Sequence, residues 1–109
     1  MLYDYIAECD RVFLNTVDYE TKKKWLDRLE SELRIELCGH IPSDTETVAV
    51  HPYDDIYVEY LKMKCAEMVG DINRFNNYLS LFNDRKNKLY AYYVRTYKPA
   101  KKVGWKNVL

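Results

Sequence analysis

Apolar residues recur at spacings of three and four along most of this chain, the period of helices that bury one face. Leu2, Tyr5, Ile6, Cys9, Val12 and Phe13 follow it, with Asp4, Glu8, Asp10 and Arg11 between them, which predicts a first helix over residues 2–14. A turn follows near Asn15 and Thr16. Asp18 then suits an N-cap, and Glu20 suits the positive end of the helix dipole. Trp25, Leu26, Leu29, Leu33 and Leu37 form the apolar stripe of a second helix reaching about Cys38, with Lys22, Lys23, Asp27, Glu30 and Arg34 assigned to its opposite face and Gly39 to its end.

Residues 40–52 are the one long irregular stretch and hold two of the three prolines. Within it Thr45 to Val50 is rich in β-branched residues and predicts a short extended segment. Pro52 fits the first turn of a third helix, with Asp54 and Asp55 complementing its dipole. Ile56, Tyr57, Tyr60, Leu61, Lys64, Cys65 and Met68 are expected on one side of that helix, and Gly70 and Asp71 end it and cap the next. Ile72, Phe75, Leu79, Phe82, Leu89, Tyr93 and Tyr97 trace a stripe through a fourth helix, interrupted only at Lys86. Leu79 and Phe82 are expected in the core. At 1.5 Å per residue a helix from Ile72 to Tyr97 spans roughly 40 Å, more than its shorter neighbours can cover, so its C-terminal half is expected to protrude or to pack on a partner. Pro99 ends it. The pattern as a whole predicts an all-α fold, a small bundle of about four helices with a long last helix. Residues 1–98 form the helical domain and residues 99–109 a basic arm.

Length and composition agree with this. A chain of 109 residues is one domain, and three glycines and three prolines are too few for the many turns of a sandwich or barrel. No run of 18 apolar residues exists, so no membrane span is expected, and Met1 to Tyr5 lacks the basic and apolar regions of a signal peptide. Cys9, Cys38 and Cys65 are odd in number and far apart, which favours free thiols in a reducing compartment.

Charge changes the picture. The formal net charge is zero, yet residues 1–84 hold 9 Lys and Arg against 17 Asp and Glu, and residues 85–109 hold 8 basic residues and no acid. A basic segment beyond an acidic body points to an acidic contact, which is a nucleic acid, the body of a second copy, or the chain's own body with the tail folded back on it. Arg95, Lys98, Lys101, Lys102 and Lys106 interleave with Tyr93, Tyr97 and Trp105, and Leu109 adds an apolar contact. Tyrosines, 11 in all, suit surfaces where a ring is buried and its hydroxyl stays wet. These nine residues are the candidate partner-binding set. The alternative reading is that the same segment grips single-stranded nucleic acid, against the repulsion of the acidic remainder.

Candidate chemistry is thin. Cys38, His40 and His51 offer three metal ligands with no fourth in a recognised spacing. Ser43, Asp44 and the two histidines share a loop too irregular to hold a triad. Asp54, Asp55 and Glu59 are read as dipole complements on a solvated face. With no nucleophile elbow and no phosphate-binding glycine loop, the expectation is a protein that is not an enzyme and has no metal or cofactor.

One stretch is more specific. His51-Pro52-Tyr53-Asp54-Asp55-Ile56-Tyr57-Val58-Glu59-Tyr60-Leu61, then Gly70, then Arg74-Phe75-Asn76-Asn77 and Leu81-Phe82-Asn83 resembles small virion proteins of tailed phages and prophages of Gram-positive bacteria, of the head–tail connector or adaptor type. Phe75 stands where that pattern usually has Tyr. The resemblance covers about residues 50–97. It implies a helical subunit of the virion, assembled in the bacterial cytoplasm, that forms a homo-oligomeric ring beneath the portal, with a C-terminal segment reaching a neighbour or the portal. It implies no catalytic residues.

Overall fold

A short connection sets the architecture. In the computed structural model, which describes residues 2–37, 39–41 and 47–96, the backbone between the last two helices reverses within two residues. Gly70 takes the left-handed conformation at φ 77° and its N–H donates to the Glu67 carbonyl, while the Asp71 N–H donates to that of Ala66. Nothing lies within 4 Å of a side chain built at Gly70, so backbone conformation and not crowding favours glycine there. Asp71 Oδ1 then accepts the Arg74 N–H at 3.1 Å and caps the following helix.

The helices are α1 (Asp4–Val12), α2 (Tyr19–Glu36), α3 (Asp55–Val69) and α4 (Ile72–Thr96), with no strand among the described residues. The all-α bundle read from the sequence is the fold. α3 and α4 form an antiparallel hairpin, seen in the Tyr60–Phe82 ring pair at 5.3 Å and the Arg85–Asp55 ion pair at 3.1 Å. α1 and α2 pack on α3 and on each other.

α3 is therefore the hub, buried nearly all round through Ile56, Tyr57, Val58, Glu59, Tyr60, Leu61, Met63, Cys65 and Ala66. The one-sided stripe expected for it is corrected. Val58 and Met63 are buried, whereas Met68 is 61% exposed. A helix enclosed on every side shows no single apolar face.

Four further expectations change. Pro52 does not open α3. It lies in a turn closed by the Tyr53 N–H donating to Val50 at 2.7 Å, and α3 begins at Asp55. The extended segment is no strand where it is described. Val48 and Ala49 are buried, and their N–H groups donate to the side chains of Glu30 and Tyr57 instead of to another strand. The C-terminal half of α4 does not protrude: Leu89 and Tyr93 are fully buried, packed in one core with Val48, Tyr57 and Leu33. Leu79 is only half-buried, while Phe82 is buried as expected. At the far end of the stripes, Val12 and Ile72 are exposed.

Lys86 interrupts the α4 stripe without breaking it. Its stem covers apolar surface and its ammonium lies 5.5 Å from the Tyr90 ring and 3.5 Å from the Glu36 carboxylate.

Candidate functional site

The residues singled out in the sequence do not converge on one catalytic centre. Asp54 accepts the Tyr5 hydroxyl at 2.9 Å and lies 3.5 Å from His51, and Asp55 pairs with Arg85. Glu59 is buried, not solvated, and makes a charge contact with Lys62 at 3.5 Å, too loose to count as a hydrogen bond. Three carboxylates read as one face thus serve separate partners: Tyr5 and His51, Arg85, and Lys62. His51 is exposed and His40 half-buried, while Cys38, Ser43 and Asp44 lie outside the described residues. Among the described residues no group of three His, Cys, Asp or Glu side chains is placed to hold a metal ion. No described helix is long and apolar enough to cross a membrane.

Of the candidate partner-binding residues, the structure describes two. Tyr93 is a core residue, 1% exposed, and its hydroxyl donates to the Val48 carbonyl at 2.6 Å, so this expectation is corrected: its ring fills the bundle and does not face a partner. Arg95 is exposed, next to Val94, which is 54% exposed. Tyr97, Lys98, Lys101, Lys102, Trp105, Lys106 and Leu109 lie outside the described residues. The base from which that segment departs is a layer of rings, with Tyr53 against Tyr92 at 4.9 Å and Tyr92 against Tyr93 at 5.2 Å. The Tyr90 hydroxyl donates to Glu36, tying the same part of α4 to the end of α2.

Two buried polar clusters escape a reading by stripes. Glu30 accepts the Val48 N–H at 2.9 Å and the Tyr57 hydroxyl at 2.6 Å, and Tyr57 in turn accepts the Ala49 N–H at 2.9 Å. With Tyr93, this network clamps Val48 and Ala49 between α2, α3 and α4. Burial and the carboxylate beside it hold the Tyr57 hydroxyl protonated well above the usual phenol range. In the second cluster Lys22, 2% exposed, pairs with Asp10 beside the adjoining thiols of Cys9 and Cys65. Cys9 donates towards Cys65, and this contact together with burial raises its pKa and keeps the thiol protonated.

Both Lys22 and Glu30 were placed on the polar face of α2, and both are buried. The missed signal is register: Lys22 and Glu30 lie four residues either side of Leu26, so successive helical turns stack all three on one side.

The cysteines allow a direct check. Alkylation of the native protein without reductant should leave Cys9 and Cys65 unmodified, because both are fully buried, and alkylation in denaturant should modify them. A Cys9–Cys65 disulfide found by mass spectrometry would show that the thiols are not free in solution.

Comparison with protein-family models, with curated proteins and with solved structures finds no match.

Proposed function

We propose that this chain is a structural assembly subunit, of the head–tail connector kind in a phage virion, which associates with copies of itself and with a portal or other virion protein. The observation that carries this reading is the division of charge, −8 over residues 1–84 and +8 over residues 85–109, with Trp105 and Leu109 as apolar anchors in the basic part. Opposite charges at the two ends of a chain favour head-to-tail contacts between copies, and contacts of that class close into rings. The resemblance to connector proteins supports it from a separate direction, since the stretch that bears it falls on the α3–α4 hairpin and the turn before it.

The test removes residues 99–109, which hold Trp105, Leu109 and three of the eight basic residues. A chain ending at Lys98 should keep its helical circular dichroism, because Leu89, Tyr93 and the Glu30 network all precede the cut. In sedimentation velocity it should lose self-association and binding to the portal protein of the same phage genome. Unfolding of the shortened chain would make residues 99–109 part of the core. Unchanged assembly would remove the arm from the mechanism. A DNA gel shift by the full chain that weakens steeply with salt would favour the nucleic-acid reading instead.

A further inference from the structure

The described body carries most of its exposed large apolar side chains at one end. Eight large hydrophobic side chains are exposed among the described residues, and five of them flank the two turns at that end: Val12 at 56% and Leu14 at 93% where α1 stops, and Met68 at 61%, Val69 at 60% and Ile72 at 65% where α3 turns into α4. The two turns are neighbours, since Phe13 meets the Tyr78 ring at 5.7 Å and lies under the Arg74 guanidinium at 5.6 Å. Isolated exposed apolar residues are ordinary on a protein surface, but a group gathered at one end marks an interaction site.

We infer that this apolar end receives the basic, Trp-bearing segment, residues 99–109, of a second copy of the chain. The inference rests on the assembly reading above and names the surface that the arm engages. Chemistry fits the occupant. Val103, Trp105, Val108 and Leu109 supply apolar groups, and Lys101, Lys102 and Lys106 bring three positive charges to residues 1–98, whose net charge is −3. Glu67 and Asp71 flank the apolar end, paired with half-buried Lys64 at 3.4 Å and with exposed Arg74 at 3.5 Å, the second a surface pair of little net strength.

Length favours another copy as the partner of Trp105. The segment leaves α4 at Thr96, and the α3–α4 turn lies at the opposite end of that 25-residue helix, about 36 Å away at 1.5 Å per residue. Trp105 is nine residues beyond Thr96 and reaches at most about 32 Å with the chain fully extended. Its backbone falls short of its own turn even when drawn out fully along α4, an ordering that costs conformational entropy, whereas the turn of a neighbour has no such limit. The contact joins two different surfaces, so each copy keeps one free acceptor and one free arm.

The experiment uses full-length chains. One variant carries Leu14→Gln, Val69→Gln and Ile72→Gln, all at exposed sites, and another carries Trp105→Ala. Circular dichroism should match the parent for both, and Ile72→Gln alone replaces the triple variant if its helical signal falls. In sedimentation velocity each variant should self-associate at least about tenfold more weakly than the parent, the scale of losing one central interface anchor. A one-to-one mixture of the two should form a dimer that neither forms alone, because each supplies the surface that the other lacks. A fluorescently labelled peptide of residues 97–109 should bind the parent and bind the acceptor variant at least about tenfold more weakly. Weakening by Trp105→Ala but not by the acceptor changes would overturn this docking surface and leave the assembly reading in place. A parent chain that stays monomeric at about 1 mM, the weak limit of specific association, would overturn both.

Discussion

Glu30→Ala should destabilise the protein by about 2–6 kcal/mol, since it leaves two buried donors unpaired at about 1–3 kcal/mol each. The donors are the Val48 N–H and the Tyr57 hydroxyl, both held by the one carboxylate. Water does not compensate readily, because Val48 and Tyr57 are both 0% exposed. Glu30→Gln keeps an acceptor for one of the two and should lose roughly half as much. Tyr57→Phe removes the link from the other side and also orphans the Ala49 N–H. The two changes share partners, so a double-mutant cycle should show coupling of about 0.5–3 kcal/mol. Urea denaturation followed by circular dichroism measures all four corners. Additive losses would mean that Glu30 and Tyr57 act separately, and a Glu30→Ala variant as stable as the parent would mean that the clamp on Val48 and Ala49 is not formed in solution.

Leu89→Ala should cost about 2–5 kcal/mol, and Leu79→Ala distinctly less. Both leucines lie on the same helix and lose the same atoms, so the comparison isolates burial. Leu89 is 0% exposed, beneath the ring layer where α4 meets the clamped segment, whereas Leu79 is half-buried nearer the α3–α4 turn. A cavity under Leu89 has packed walls on every side, while solvent reaches the gap left at Leu79. Thermal melts of the two variants decide the order. If Leu89→Ala melted with the parent, the C-terminal half of α4 would be detached from the body in solution, as its length alone led one to expect. The arm of residues 99–109 would then start from a mobile base and not from a fixed one.

Some features were legible at once because their causes are local. Gly70 and Asp71 end one helix and begin the next through backbone conformation and a side chain acting three residues away, and both act as the sequence predicted. Asp18 is the N-cap residue of α2, although its carboxylate accepts the Thr21 hydroxyl and no backbone N–H. The leucines of α2 are buried where spacing placed them.

The errors arose where a residue's partner is distant in sequence. Polarity put Glu30 on the solvent face, yet beyond its local ion pair with Arg34 its hydrogen-bond donors are 18 and 27 residues away and come into range only once α3 and the segment before it pack on α2. Tyr93 looked like a partner-binding tyrosine because it belongs to a cluster, and only the Val48 carbonyl, 45 residues earlier, makes it a core residue. β-branched composition made Thr45 to Val50 look extended, but no second strand exists among the described residues to pair with it, and side chains take up the free N–H groups of Val48 and Ala49.

By itself, then, the sequence determined the four helices, the turn between the last two and the division of charge, because helix period, glycine conformation and ionisation are properties of neighbouring residues. Only the tertiary structure decided that α3 is enclosed, that Lys22, Glu30 and Tyr93 are buried, and that two separate turns bearing five exposed apolar residues lie side by side. Burial depends on which helices surround a side chain, and a periodic pattern states which face is apolar without stating what covers it.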